Sequence, residues 1–139
     1  MENHADKAAR LFGEGCSCAQ AVFAAYAGDY GIDKDAAMKI SVALGGGMGR
    51  MRETCGCVSA MALVAGLKYG NTEPSDADSK AAALDAAKAL AEKFQAEHAS
   101  IVCKELLGLV PPRGGSELLA DRKPCKELVR RAAELLESL

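Results

Sequence analysis

The chain has 139 residues, 50% apolar and 26% charged, enough for one domain with a real core and too few for two comfortable ones. A net charge of −2, three Phe, three Tyr and no Trp provide neither the basic field nor the stacking platform of a nucleic-acid binder. The polar opening from Met1 to Lys7 has no apolar signal core, and no run is long enough to span a bilayer, so a cytoplasmic chain without membrane insertion is expected.

The hydrophobic spacing predicts helices throughout and no strand, giving an all-α single-domain bundle of about six or seven helices with short links. A first helix covers residues 5–12, with Leu11 and Phe12 inward and Gly13 and Gly15 as its stop; His4 is assigned to a frayed terminus. Ser17 and Gln20 fit a capping box opening a second helix from Cys18 to about Ala27. Asp33 is expected to cap a third helix from Lys34 to about Leu44, with Ala37, Ile40, Ser41 and Leu44 on one face.

The stretch Gly45-Gly46-Gly47-Met48-Gly49 then leads through Arg50 and Arg52 to Thr54. Thr54 is expected as N-cap of a fourth helix, with Cys55 at its first position, Cys57 two residues on and Gly70 at its end. Ser75 should start a long fifth helix, 77–98, with Ala83, Leu84, Ala87, Leu90, Ala91 and Phe94 inward. Ser100 should cap a sixth helix carrying Cys103, Leu106 and Leu107, closed by Gly108. A breaker at Pro111-Pro112-Arg113-Gly114-Gly115 precedes a last helix opened by Pro124, from Cys125 to about Leu136.

Six cysteines, at 16, 18, 55, 57, 103 and 125, are many for a compartment that keeps thiols reduced. In an Ala- and Leu-rich helical chain they point to thiol chemistry or metal binding rather than structural staples. Cys18, Cys55, Cys103 and Cys125 each fall in the first turn of a predicted helix, where free N–H groups favour a thiolate. Arg50 and Arg52 flank Cys55, Lys104 adjoins Cys103, and Arg122, Lys123 and Lys126 flank Cys125. Cysteine as core filler is the competing reading, and filler should scatter over helix interiors instead. In each Cys-x-Cys pair, 16/18 and 55/57, a cap between the cysteines would let them chelate one metal or close a reducible disulfide.

Weaker candidates surround these. The glycine stretch lacks both the Gly-x-Gly-x-x-Gly register and a preceding strand, which leaves an anion at the following helix start. His98 is placed to act as base or ligand near Cys103, although a helix-end histidine is more often solvated. The Lys/Arg cluster at 122–131 reads as a solvated face.

Cys18-Ala19-Gln20-Ala21-Val22, the run from Gly45 to Met51 into Glu53-Thr54-Cys55-Gly56, the segment Cys103-Lys104-Glu105-Leu106-Leu107-Gly108, and Cys125 before a closing helix resemble the C_GCAxxG_C_C family, whose name asserts redox activity. The resemblance spans nearly the whole chain. It implies four family cysteines, here Cys18, Cys55, Cys103 and Cys125, with a Cys-Gly-Ala-x-x-Gly motif at the second. This chain has Cys57 in place of the motif's Ala and Ala60 in place of its Gly, and Cys16 is an addition.

Two readings follow. In the first, these cysteines converge and cycle between dithiol and disulfide, with Cys55 as accessible attacking thiolate, Cys57 or Cys18 as resolving partner, no cofactor, and an unidentified redox partner or small molecule as substrate. In the second, Cys18, Cys55, Cys103 and Cys125 are ligands of zinc or an iron–sulfur cluster. A non-catalytic helical partner module would require the cysteines to lie far apart, and no exposed heptad stripe speaks for it. A homo-oligomer is left open.

Overall fold

The computed structural model describes residues 2–111 and 124–139. Seven α-helices follow in order: α1 (His4–Gly13), α2 (Cys18–Ala27), α3 (Lys34–Ser41), α4 (Gly56–Tyr69), α5 (Ala77–His98), α6 (Cys103–Leu106) and α7 (Cys125–Leu136). Short 3-10 turns follow α2 and α3, and the sole β-type pairing among the described residues is an isolated antiparallel bridge between Thr54 and Val102. No helix among them is long and apolar enough to cross a membrane.

The organisation follows from α2. Its sequence is apolar on every side, and all residues from Ala21 to Ala27 are buried, so neighbours must cover its whole circumference. α1, α3, α4 and α7 do so, while α5 lies along the outer side of α4. Alanines at the crossings let the helix axes approach closely. Phe23, Phe94, Met61 and Leu106 fill the larger spaces between them.

Helix starts differ from the sequence expectation in instructive ways. Asn3, Ser17 and Asp33 cap α1, α2 and α3 through their side chains, and the Ser17–Gln20 capping box is present in full. At α4 the cap is Cys55 and the helix begins at Gly56, because the backbone of Thr54 is engaged in its bridge to Val102. Asp76, not Ser75, caps α5 by accepting from Ser79 N–H. α6 begins at Cys103 with Val102 as cap, so Cys103 occupies the first helical position rather than the third. Ser100 instead accepts from Val102 N–H and donates to the buried Glu105 carboxylate.

Two expected core residues face solvent. Ile40 is 49% exposed because α3 buries the stripe of Ala37 and Ser41, and Ile40 lies to one side of it. Leu84 is 62% exposed because only the C-terminal half of α5, at Leu90 and Phe94, is pressed against the core. Of the Pro/Gly breaker only Pro111 lies within the described residues, as a non-helical exposed position; Arg122 and Lys123 lie outside them.

His4 is not frayed. Its ring stacks on Tyr26, centroids 4.0 Å apart and 9° from parallel. Its two nitrogens bond Glu137 at 2.5 Å and Asp29 at 2.7 Å, and Tyr26 donates to the Ala133 carbonyl at 2.6 Å. The contacts tie α1 to the end of α2 and the end of α7. Burial alone would lower the imidazole pKa, but the hydrogen bonds to Glu137 and Asp29 outweigh it and hold the pKa above the ordinary 6.5.

Two stability predictions follow. Phe94→Ala should cost about 3–5 kcal/mol in denaturant unfolding, since the ring is wholly enclosed. A raised folded pKa stabilises fully below the unfolded value and ceases to do so as pH rises through the folded one. Stability lost by wild type between about pH 6 and pH 9 should therefore be smaller in His4→Gln, measured by urea midpoints, while an unchanged pH slope would remove His4 as the cause.

Candidate functional site

Helix starts, rather than helix interiors, bring the cysteines together. A cavity of about 180 Å³ is lined by Cys18, Cys55, Cys57, Cys103 and Cys125, with Phe12, Leu106 and Leu128 among its apolar walls and Arg52 at its polar side. The capping box sets Cys18 at the first position of α2, and Gln20 additionally donates to the Met38 carbonyl, which fixes the entry against α3. A short two-segment clasp places Cys55 beside Cys103. Cys55 N–H donates to the Ile101 carbonyl at 2.7 Å, Cys103 N–H to Glu53 at 2.5 Å, and Lys104 N–H to Arg52 at 3.0 Å. The Lys104–Glu53 ion pair at 3.0 Å closes the same clasp.

Two glycines make the convergence possible. A Cβ on Gly56 would lie 2.7 Å from Cys18 Sγ, and one on Gly47 would lie 2.6 Å from Cys103 Cβ. Neither position has room for a side chain. Gly46, Gly47 and Gly49 take positive φ, and so do Met48, Arg50 and Arg52, where each non-glycine residue costs about 1–2 kcal/mol. The loop is therefore held in a costly conformation that places Arg52 in the wall of the thiol cavity and Arg50 in the wall of a neighbouring one.

The thiols of Cys18, Cys55 and Cys57 line one cavity, and each shifts the protonation of the others. The neighbouring Cys55 and Cys57 thiols, and after them the backbone amides of Ala19 and Gly46, outweigh burial at Cys18 and hold its pKa far below the ordinary thiol value. Donation to Cys18 keeps Cys55 protonated and its pKa raised, and Cys57, wholly buried, is raised further for the same reason. The proton lost first belongs to the cluster as a whole, and the donors locate the resulting charge on Cys18. Burial raises Cys103, and Arg52, its Nη1 4.0 Å from the sulfur, opposes that.

The structure corrects several assignments. Cys55 is buried, so the glycine approach does not expose it; Cys18 is the half-buried thiol of the two. Arg52 is directed to Cys103 rather than Cys55, and Arg50 lines a neighbouring cavity. Cys16 stands apart, its Sγ 3.9 Å from Met38 Sδ, with its pKa raised by burial and by Glu14. His98 bonds the Phe94 carbonyl within its own helix. Lys104 pairs with Glu53, and Lys126 is exposed. All six cysteines are free thiols. Cys18, Cys55, Cys103 and Cys125 share the cavity, but no group of three or more His, Cys, Asp or Glu among the described residues is arranged as a preformed metal site.

A family model described as "Putative redox-active protein (C_GCAxxG_C_C)" matches residues 16–139. The chain belongs to that family. No curated protein and no solved structure matches it.

The glycine contacts predict opposite effects at two positions of α4. Gly56→Ala should destabilise by about 1–3 kcal/mol through overpacking and should raise the pH midpoint of Cys18 alkylation by displacing its donors. Gly66→Ala, with nothing within 4 Å of the new methyl, should stabilise by about 0.4–1 kcal/mol and leave the alkylation midpoint in place. Urea unfolding and an iodoacetamide pH profile read both.

Proposed function

We propose that this member of the C_GCAxxG_C_C family is a thiol–disulfide exchange protein in which Cys18 attacks and Cys55 resolves. The observation that carries the reading is the setting of Cys18: a half-buried sulfur in the wall of a cavity that Cys55, Cys57, Cys103 and Cys125 also line, with its pKa held low by the neighbouring thiols and amides. A lowered pKa keeps the sulfur as thiolate near neutral pH, and attack on a disulfide requires thiolate. The low pKa also reduces intrinsic nucleophilicity, so its gain is availability and leaving-group quality.

The step balances without a metal. Cys18 Sγ⁻ attacks a substrate disulfide R–S–S–R, its S–S bond breaks, and R–S⁻ leaves from a Cys18–S–S–R mixed disulfide. Cys55 then loses its proton to solvent and attacks Cys18 Sγ, expelling the second R–S⁻ and leaving a Cys18–Cys55 disulfide. Two protein thiols are oxidised and one substrate disulfide is reduced to two thiols. Cys57 stays within hydrogen-bonding reach of both and holds charge on whichever sulfur carries it. Cys103 and Arg52 form the opposite wall of the cavity.

The test starts from the reduced, anaerobically purified chain. Its Cys18 alkylation should show a midpoint well below the roughly 8.5 of a free thiol. One equivalent of disulfide should remove two titratable thiols and yield a linked Cys18–Cys55 peptide by mass spectrometry. Cys18→Ser should abolish both results. Stoichiometric zinc or iron in the same sample, with Cys18 protected from alkylation until chelation, would overturn the exchange reading and make the cysteines ligands.

A further inference from the structure

Beside the thiol cavity lies a second, wider cavity of about 390 Å³, and Ser17, Gly46 and Arg52 line both. Arg50 lines the second cavity. Elsewhere among the described residues, arginines are neutralised: Arg10 by Glu2 and Glu14, Arg130 by Asp6, and Arg131 by Glu97. Among the described residues Arg50 and Arg52 have no carboxylate partner, and the one polar side-chain contact of the pair there is Arg52 with Cys103 Sγ. Both are held at positive φ, where glycine would sit with less strain, so the backbone cost is borne at the two positions that present guanidinium groups. Taken together, the adjoining cavities fall within the roughly 300–1,000 Å³ typical of small-molecule sites.

We infer that the second cavity holds the anionic group of a small disulfide, whose S–S bond then lies in the adjoining cavity against Cys18. The inference rests on the exchange reading and names the substrate class of that site: a low-molecular-weight disulfide bearing carboxylate or a like anion. Arg50 meets the anion, and Arg52, at the shared wall, bridges the anion site to the sulfur site. The reaction is the one already balanced, with the anionic disulfide as oxidant and two anionic thiols as products.

The experiment compares exchange rates of the reduced full chain with 3,3′-dithiodipropionate (anionic), 2-hydroxyethyl disulfide (neutral) and cystamine (cationic). Each rate is normalised to that of free cysteine with the same disulfide. The anionic compound should be favoured roughly tenfold over the neutral one at low salt, with the preference falling as salt rises. Arg50→Gln should bring the ratio to within about twofold, and Arg50→Glu should invert the order in favour of cystamine. Suberate, of matching length and charge without sulfur, should slow the anionic reaction competitively. An unchanged order in both Arg50 variants, with exchange intact, overturns the inference and leaves the exchange reading standing. Failure of all three disulfides to react defeats the exchange reading and this substrate assignment with it; suberate binding by calorimetry, abolished in Arg50→Glu, would then report an anion site serving other chemistry.

Discussion

The absence of one methyl group at Gly56 governs the site. Cys18 Sγ occupies the space where the Cβ of residue 56 would otherwise stand, so the start of α2 and the start of α4 meet at a sulfur atom instead of being held apart by side chains. From that contact follow the approach of Cys55 and Cys57 to Cys18, the alignment of the Ala19 and Gly46 amides, and the placing of the glycine loop over the cavity. The bundle supplies the rest: α2, buried on all sides, has no freedom to retreat from the contact.

The electrostatics of the site invert what its surroundings would impose. Burial in an apolar end of a helical bundle disfavours thiolate, and it does so for Cys16 and Cys103, where few donors compensate. At Cys18 the neighbouring thiols and the amides of Ala19 and Gly46, rather than a mobile cation, outweigh it. Such a charge is little affected by ionic strength, unlike one stabilised by an exposed arginine.

The sequence made the helical layout legible because local signals and tertiary packing agree: α2 begins and ends where its capping box and its Gly28 turn place it, and α7 runs from Cys125 to Leu136. The gathering of cysteines at helix starts was legible for the same reason, since caps are local. What stayed hidden depends on contacts distant in sequence. Thr54 is a good cap by composition, yet its pairing with Val102, nearly fifty residues on, shifts the helix start to Gly56. Accessibility was likewise misassigned. A glycine approach suggests an open Cys55, but the Ile101–Cys103 segment folds over it and leaves Cys18 as the outer sulfur. His4 looked like a free terminus because its partners, Asp29 and Glu137, are remote along the chain.

The three neighbouring sulfurs are unequally buried: all three residues line the cavity, but Cys18 is half-buried, while Cys55 is 5% exposed and Cys57 is wholly enclosed. Of these three, Cys18 is the one most open to a peroxide entering from solvent, which would convert it to a sulfenic acid. A sulfenic acid survives long enough for further, irreversible oxidation only when no thiol is near. Here Cys55 already adjoins that sulfur, so condensation to a disulfide, with loss of water, requires no diffusion and little rearrangement. On the proposed exchange reading, the unequal burial of the three thiols would direct such oxidation into a reversible product.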